Sequence, residues 1–357
     1  MSAWRLLIED GVGGIAGLAT DDALMLHYGR DDAAPPWEAT LRLYTYHAHS
    51  VNVGRYQMLA AEVDTAACQR LGIDVARRPT GGGAIIMGPR QLGIAITTRA
   101  PTDLHPSQVL RRYSQGILAG LRSLGVDARL RGKNDLEVGA RKIAGLGLYA
   151  DDRGALLFHA SVLAGIDIPL MLSVLRIPGA KLADKGITRV QERLTTVSRE
   201  LGRELNGTDL RDAIAAGFTQ TLGVSLQRAG LDAMERVRAT ELSELYGSAE
   251  WLADRQVEGD TRGEALLRTP SGLIRVYAGL QGTALSSVML TGDYSTPPAK
   301  LLSLEAALRW CSADPQRILE ITRHELADDG GLLGSSAETV ADAIWQAACV
   351  ALEKVPA

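Results

Sequence analysis

The chain has 357 residues, 46% hydrophobic and 22% charged, so it can bury a real core and is not a disordered tract. Its net charge of −4 gives no general basic footprint for nucleic acid, and 4% aromatics argue against stacking on single strands. No stretch reaches the roughly 18 apolar residues of a membrane span, and at about 150 residues per domain the length predicts two domains.

Residues 4–8, WRLLI, read as a first strand, followed by GVGGIAGLA (11–19), a helical pattern from Asp21 to Tyr28 and a loop at 29–36. TLRLYTYHAHSVNVG (40–54) alternates β-branched and aromatic residues as one or two strands, and Leu59 to Leu71 reads as a helix. RRPTGGGAIIMG (77–88) runs into strands at Ala84–Met87 and Gln91–Thr98. Pro106 to Leu124 is helical, with Ser107 as its expected cap. Ala128 to Gly154 reads as strands joined by tight turns, Leu156–Leu163 as another strand, and 167–187 as a short helix with a Pro/Gly break. A helix is expected within Leu201–Gly223, starting near Thr208–Asp209. A linker at 245–262 leads to a hairpin, GLIRVYAGL (272–280) and ALSSVMLTGDY (284–294), around the loop Gln281-Gly282-Thr283. Further helices follow, the last opening at Ser335 with Glu338 in a capping box. Strands and helices without a βαβ rhythm predict an α+β protein.

Several motifs fail on their surroundings. GVGGIA (11–16) matches a dinucleotide fingerprint, but Asp31 and Asp32 lie in a Pro/Gly loop and not at a strand end. GKN (132–134) lacks the Ser/Thr and upstream glycine of a P-loop, and no GxSxG supports a hydrolase. The six histidines are scattered without a ligand set, although His47 and His49 could share a strand face. Cys68, Cys311 and Cys349 lie in no metal or disulfide spacing, which fits a reducing, cytoplasmic setting.

Two segments carry chemistry. Three glycines after Arg77 and Arg78 form either a turn or a loop whose N–H groups closely approach a phosphate. Lys142, among Ile143, Ala144, Gly145 and Leu146, is either a snorkelling edge lysine or one that meets an anion. Taken together they suggest anion binding, with Arg78 gripping phosphate and Lys142 as a point charge, a set suited to condensing a carboxylate with ATP.

These residues resemble the lipoate–protein ligases of the biotin/lipoate protein ligase superfamily. RRPTGGGAII resembles the family's RR-x-S/T-GGG-A-V/I, and KNDLEVGARKIAGLGLY (133–149) its N-D-L-x-V and R-K-[VI]-[SA]-G segment. LLFHASVL (156–163) is similar to H-G-[ST]-L-L, and KLADKGITRVQERLTTVSREL (181–201) to K-x-x-x-KGI-x-S-V-x-x-R-V-x-N-L; SVNVGRYQ (50–57) also has a counterpart. The likeness covers most of 1–225 in order, while about 262–330 is similar to the family's accessory domain.

The resemblance implies a catalytic domain over 1–250, akin to class II aminoacyl-tRNA synthetases and biotin ligases, with a mainly antiparallel sheet flanked by helices, and an α/β accessory domain over 251–357. It implies a lipoate–protein ligase: lipoate, or octanoate, and MgATP give the acyl-adenylate and pyrophosphate, and the acyl group passes to a lysine ε-amine. The acceptor would be a 2-oxoacid dehydrogenase lipoyl domain, a glycine-cleavage H protein or a dedicated lipoate-binding protein, served by a monomer with no nucleic-acid or membrane partner. Carried over by position, Lys142 would hold the acyl carboxyl and α-phosphate, and Arg78 the nucleotide phosphate. Gly81 and Gly82 would shape the loop; Gly83, Ala84, Ile85 and Ile86 would line the adenylate; Asn134 and Asp135 would face nucleotide and Mg2+, with Asp135 on the metal side.

The chain departs from the pattern at Ile86-Met87-Gly88, where F-H-D is usual, and at Ala160, where glycine is usual. An octanoyl or lipoyl acyltransferase of the same fold is the alternative. Those that form a covalent thioester need a cysteine near the site, and Cys68 sits in a helix before the glycine loop. Biotin ligases carry a G-R-G-R-x-G loop, which RRPTGGG is not, and a non-catalytic lipoate- or acceptor-binding protein would not need the Arg78–glycine–Lys142 set.

Overall fold

The computed structural model describes residues 3–31, 37–132, 134–176, 192–270, 272–294, 299–327 and 332–355. Most of the segment 181–201, from 181 through 191, lies outside them, as does Lys133. Two compact units result. One comprises Met1–Val53, Glu62–Thr80 and Ala84–Leu252; the other Gly54–Ala61, Gly81–Gly83 and Ala253–Ala357.

The N-terminal unit is built on strands β1 (Ala3–Val12), β2 (Ala39–Tyr46), β3 (Ser50–Val53), β4 (Asp74–Arg77), β5 (Ile85–Met87), β6 (Gln91–Arg99), β7 (Arg129–Arg131), β8 (Asp135–Val138), β9 (Arg141–Ala150), β10 (Ala155–Leu163) and β11 (Ser225–Arg228). Eight form one sheet in the order β11-β1-β2-β6-β10-β9-β8-β7, and β4-β3-β5 form a small second sheet. In the large sheet β1 pairs parallel with β2 and β11, and the remaining neighbours are antiparallel. The protein is thus α+β with a mainly antiparallel sheet.

The two faces of the large sheet differ because side chains alternate along each strand. One face sets Leu41 and Leu43 (β2), Ile94 and Ile96 (β6), and Phe158 and Ala160 (β10) into the main core. Against it lie the helix Pro106–Ser123, through Val109, Tyr113, Ile117 and Leu121, and the helix Gly207–Leu222, through Leu210, Ile214 and Phe218. Every fourth residue faces inward, the spacing of one helical stripe, and fully burying each such side chain stabilises by about 1.5–3 kcal/mol. The two helices touch at glycines: a Cβ on Gly116 would overlap the Phe218 ring, and one on Gly217 the Gly116 carbonyl.

The opposite face mixes polar groups with a smaller apolar cluster that includes Tyr44, Ala95 and Leu157. It carries Thr40, Arg42 and Tyr44 on β2, and Arg42 is buried against Glu9 at 2.6 Å and Asp21 at 2.6 Å. Desolvation alone would depress the Arg42 guanidinium; the two carboxylates outweigh it, so its pKa is raised.

In the C-terminal unit β12 (Thr261–Thr269), β13 (Gly272–Gln281) and β14 (Ala284–Gly292) form an antiparallel meander. The helices Ala299–Leu308, Pro315–Glu325 and Ala337–Leu352 share its core, with Leu304, Ile318 and Ile344 fully buried. Among the described residues no helix is long and apolar enough to cross a membrane.

Where the structure differs from expectation, local chemistry explains it. His105 caps the helix expected to start from Ser107: its ring accepts the Ser107 N–H, Gln108 reaches back to the His105 N–H, and Pro106 takes the first turn, where no N–H is needed. Asp64 accepts the Ala67 N–H and so splits the expected helix 59–71 into Leu59–Glu62 and Thr65–Leu71. Ser336, not Ser335, caps the last helix. The hairpin turn has two residues, since Gln281 pairs with Ala284 and Gly282 takes φ +60. The strand β12 and the helix Ala233–Gly247 had no sequence signal assigned to them.

Candidate active site

The polar face reaches its most unusual composition at the β8–β9–β10 edge. Asp135 on β8 pairs with Gly145 on β9, and Leu136 with Ala144, but the next pair is Glu137 with Lys142. Ile143 is therefore an extra residue on β9, a bulge. Both Ile143 and Ala144 enter the core, completely buried. In a regular strand Lys142 would share a face with Ala144 and point into that core. The bulge places it opposite Glu137 instead, and its Nζ meets Asp135 Oδ1 at 2.8 Å. The side chains are 34% and 26% exposed, so the pair is open enough for an incoming anion to compete with the carboxylate.

Glycines clear the floor beneath these groups. A Cβ on Gly145 would lie 3.1 Å from Lys142 Nζ, and one on Gly147 would overlap the His159 ring. His159 on β10 is directly opposite Gly147, so lysine and imidazole occupy adjacent positions on one face. His159 is half-buried by exposed area, yet burial of the ring, and then the charge of Arg78, push its pKa down to about 3. It is a neutral imidazole at physiological pH.

Arg78 is 5% exposed; its Nη1 donates to the Asn52 carbonyl at 2.8 Å and its N–H to the Val53 carbonyl at 2.9 Å. Ile85 and Ile86 pair with Asn52 and Val51, so Arg78 and β5 meet across β3. Ala84, at intermediate depth, leads into β5. The Thr80 hydroxyl is buried with no hydrogen-bond partner among the described residues, an orphan expected where a ligand supplies the contact. Gly81, Gly82 and Gly83 group with the C-terminal unit. There the Gly82 N–H donates to the Tyr294 carbonyl at 3.2 Å with φ +92, which only glycine adopts readily, and Gly83 faces Asp293. Asn134 extends the pairing at the open end of the β8–β9 hairpin: its carbonyl accepts the Leu146 N–H at 2.8 Å and its Nδ2 donates to the Leu146 carbonyl at 3.3 Å.

The structure thus joins Lys142 to Asp135 and sets Arg78 beside His159. Sequence reading left His159 among scattered histidines; its signal was the pair Gly145 and Gly147, alternating with apolar residues opposite FHAS. None of the three cysteines lies on β8, β9 or β10. Cys68 is buried in the helix Thr65–Leu71, and burial pushes its thiol up, as it does that of Cys311. Among the described residues His27, Asp232 and Glu235 are spaced for a metal, but Glu235 is held by Arg5 at 2.7 and 2.5 Å, which disfavours a cation there.

A model of the lipoyl protein ligase A/B catalytic domain matches residues 15–219. An octanoyltransferase LipM from Symbiobacterium thermophilum is 33% identical over 274 residues, covering 70% of this chain and 97% of that protein. The bipartite lipoate protein ligase of Thermoplasma acidophilum, solved in a study of that ligase and its E2 lipoyl domain, is 28% identical with a TM-score of 0.62, covering 72% and 100%. Plasmodium falciparum LipL1 in complex with lipoate is 14% identical but shares the fold over 90% of this chain and 94% of its own, with a TM-score of 0.68. The octanoyltransferase name, which further relatives also carry, overturns the expectation of ATP-dependent lipoate activation. The reason is chemical. A cation on an acyl oxygen and a glycine-bearing loop serve acyl transfer as well as acyl activation, so those motifs record the acyl group and not how it was activated.

Proposed function

We propose that this chain, which belongs to the lipoyl protein ligase A/B catalytic-domain family, is an acyltransferase that moves an octanoyl group from an activated thioester to a lysine ε-amine of a lipoyl domain. The observation that carries this reading is the octanoyltransferase name borne by several relatives, one of them 33% identical over 97% of its length; the Lys142–Asp135 pair at 2.8 Å above Gly145, beside neutral His159, supplies the groups that would act. Asp135 fixes the ammonium until an acyl carbonyl oxygen takes its place. The acceptor amine then attacks the carbonyl carbon. The C–N bond forms, and negative charge moves to the oxygen facing Lys142, where a fixed ammonium stabilises it most. Collapse breaks the C–S bond, and the thiolate leaves and takes up the proton that the amine releases.

This route needs no acyl–cysteine. Cys68 is buried in a helix with its thiol pushed up, the opposite of an activated nucleophile. Arg78, Ala84, Ile85 and Ile86 are proposed to line the donor, with the Thr80 hydroxyl as a further contact. Asp135, expected on the metal side, is proposed here as the partner that fixes the Lys142 ammonium through Oδ1. Residues 251–357 are proposed as an accessory domain, in keeping with a fold shared over 90% of the chain with a lipoate-bound protein.

The test is the mass of an apo lipoyl domain after incubation with the protein and an octanoyl thioester without ATP, or with octanoate, ATP and Mg2+. A gain of one octanoyl group is expected in the first mixture, and Cys68→Ala should retain it. Modification only in the second mixture would sink the acyltransferase reading.

A further inference from the structure

Lys142 sits where the support of the sheet changes hands. β10 pairs with β9 only from Ala144 onward, so the strand edge at Lys142 has lost that neighbour. Residues 193–195 take its place. The Lys142 N–H donates to the Arg193 carbonyl at 2.7 Å, the Thr195 N–H donates to the Lys142 carbonyl at 2.9 Å, and Lys142 and Leu194 form an isolated parallel bridge. Both backbone polar groups of Lys142 therefore point away from β8 and depend on this short segment. Being adjacent to the bulge, the residue has no regular ladder to hold its register.

One carboxylate locks the two segments together. Glu200, in the helix Val197–Leu201, accepts from the Thr195 hydroxyl and, through the same Oε1, from Arg141 Nη2 at 3.0 Å. Thr195 is buried, and the Glu200 side chain is 17% exposed. Glu200 thus ties the residue preceding Lys142 to the residue whose N–H holds the Lys142 carbonyl. A charge-assisted acceptor shared by two donors fixes geometry more tightly than either bond alone.

We infer that Glu200 is a positioning residue for Lys142, acting through Thr195 and Arg141 to hold the ammonium over Gly145. The inference rests on the proposed role of Lys142 at the acyl carbonyl for its effect on rate, but not for its effect on the lysine itself. It is therefore tested by two readouts. The first is the rate at which acetic anhydride acetylates Lys142, followed by peptide mass; this needs no enzymatic turnover. The second is acyl transfer from an octanoyl thioester, resolved into kcat and KM.

Glu200→Ala and Thr195→Val are expected to free the ammonium, so that Lys142 acetylation rises severalfold. They should lower kcat about 10- to 100-fold, the scale of an ångström-level misplacement, with KM for the thioester little changed. Thr195→Ser, which keeps the hydroxyl, should restore both. Asp127→Asn, which removes the exposed Arg129–Asp127 pair, should change neither. Unchanged Lys142 acetylation in Glu200→Ala and Thr195→Val, or a Thr195→Ser that behaves like Thr195→Val, overturns the inference. Should acetylation follow Glu200 while the wild-type protein transfers no acyl group from the thioester, the positioning role stands and the acyltransferase reading falls.

Discussion

The two faces of the eight-stranded sheet use glycine for opposite ends. On the apolar side Gly116 and Gly217 let two helices approach until backbone meets backbone and ring. On the polar side Gly145 and Gly147 make room for the ends of functional side chains, Lys142 and His159. A missing Cβ serves packing in the first case and chemistry in the second. Adding that Cβ should therefore damage stability on one face and activity on the other.

The largest effect is expected for Lys142→Ala, which removes the ammonium without touching the core. Acyl transfer should fall about 10²- to 10³-fold, or about 2.7–4 kcal/mol of transition-state stabilisation, while the thermal midpoint holds; a lost fold would make the residue structural. Next is Gly217→Ala, whose Cβ meets the immovable Gly116 carbonyl. We expect about 3 kcal/mol lost in urea unfolding, with the activity of the folded fraction retained. A stable Gly217→Ala protein would break the contrast between the faces.

Gly147→Ala sharpens it from the other side, because its Cβ must displace the His159 ring. It should cost about 1–2 kcal/mol together with most activity. Gly145→Ala, facing only the flexible end of Lys142, should lose activity at almost no cost in stability. The smallest effect is electrostatic. His159 has a folded pKa of about 3, below its ordinary 6.5, so between those values the unfolded chain binds more protons. Stability is fully present above pH 6.5 and declines as pH falls toward 3. His159→Gln should lose less stability across that window than the wild type, as read by urea midpoints; parallel pH profiles would show that the imidazole is not held neutral.

The sequence was legible where one pattern acted alone. The runs at 91–98 and 156–163, apolar stretches between turn residues, form β6 and β10 almost to the residue. Arg78 and Lys142 were singled out because charge beside glycine and apolar residues, in two segments together, suggests an anion; the structure pairs Lys142 with Asp135 and ties Arg78 to the Asn52 carbonyl. It was less legible where two patterns compete. Arg-Lys-Ile-Ala-Gly breaks strand alternation, and nothing in those five letters says that Ile143 is the extra residue. Glu200 and Thr195 looked like ordinary helix and loop residues, because their partners are 59 and 53 positions away in Arg141 and Lys142. The helix 233–247 escaped because its apolar residues form no sustained stripe: Met234, Val237 and Leu245 are exposed. The activation chemistry was illegible for a different reason, since a cation that meets an acyl oxygen is blind to what the acyl carbon is leaving.

The bulge at Ile143 makes the site sensitive to strand register. Replacing Ile143 by another aliphatic residue keeps the number of residues between Gly145 and Lys142, and so the side on which the lysine emerges. Pairing the same residues without the bulge would set Ile143 opposite Glu137 and turn the ammonium into the core, whereas deleting Ile143 would leave Lys142 beside Ala144 and still on the face of Glu137. Along this hairpin, then, the pairing register, set by one residue left without an opposite number, decides where the lysine is delivered.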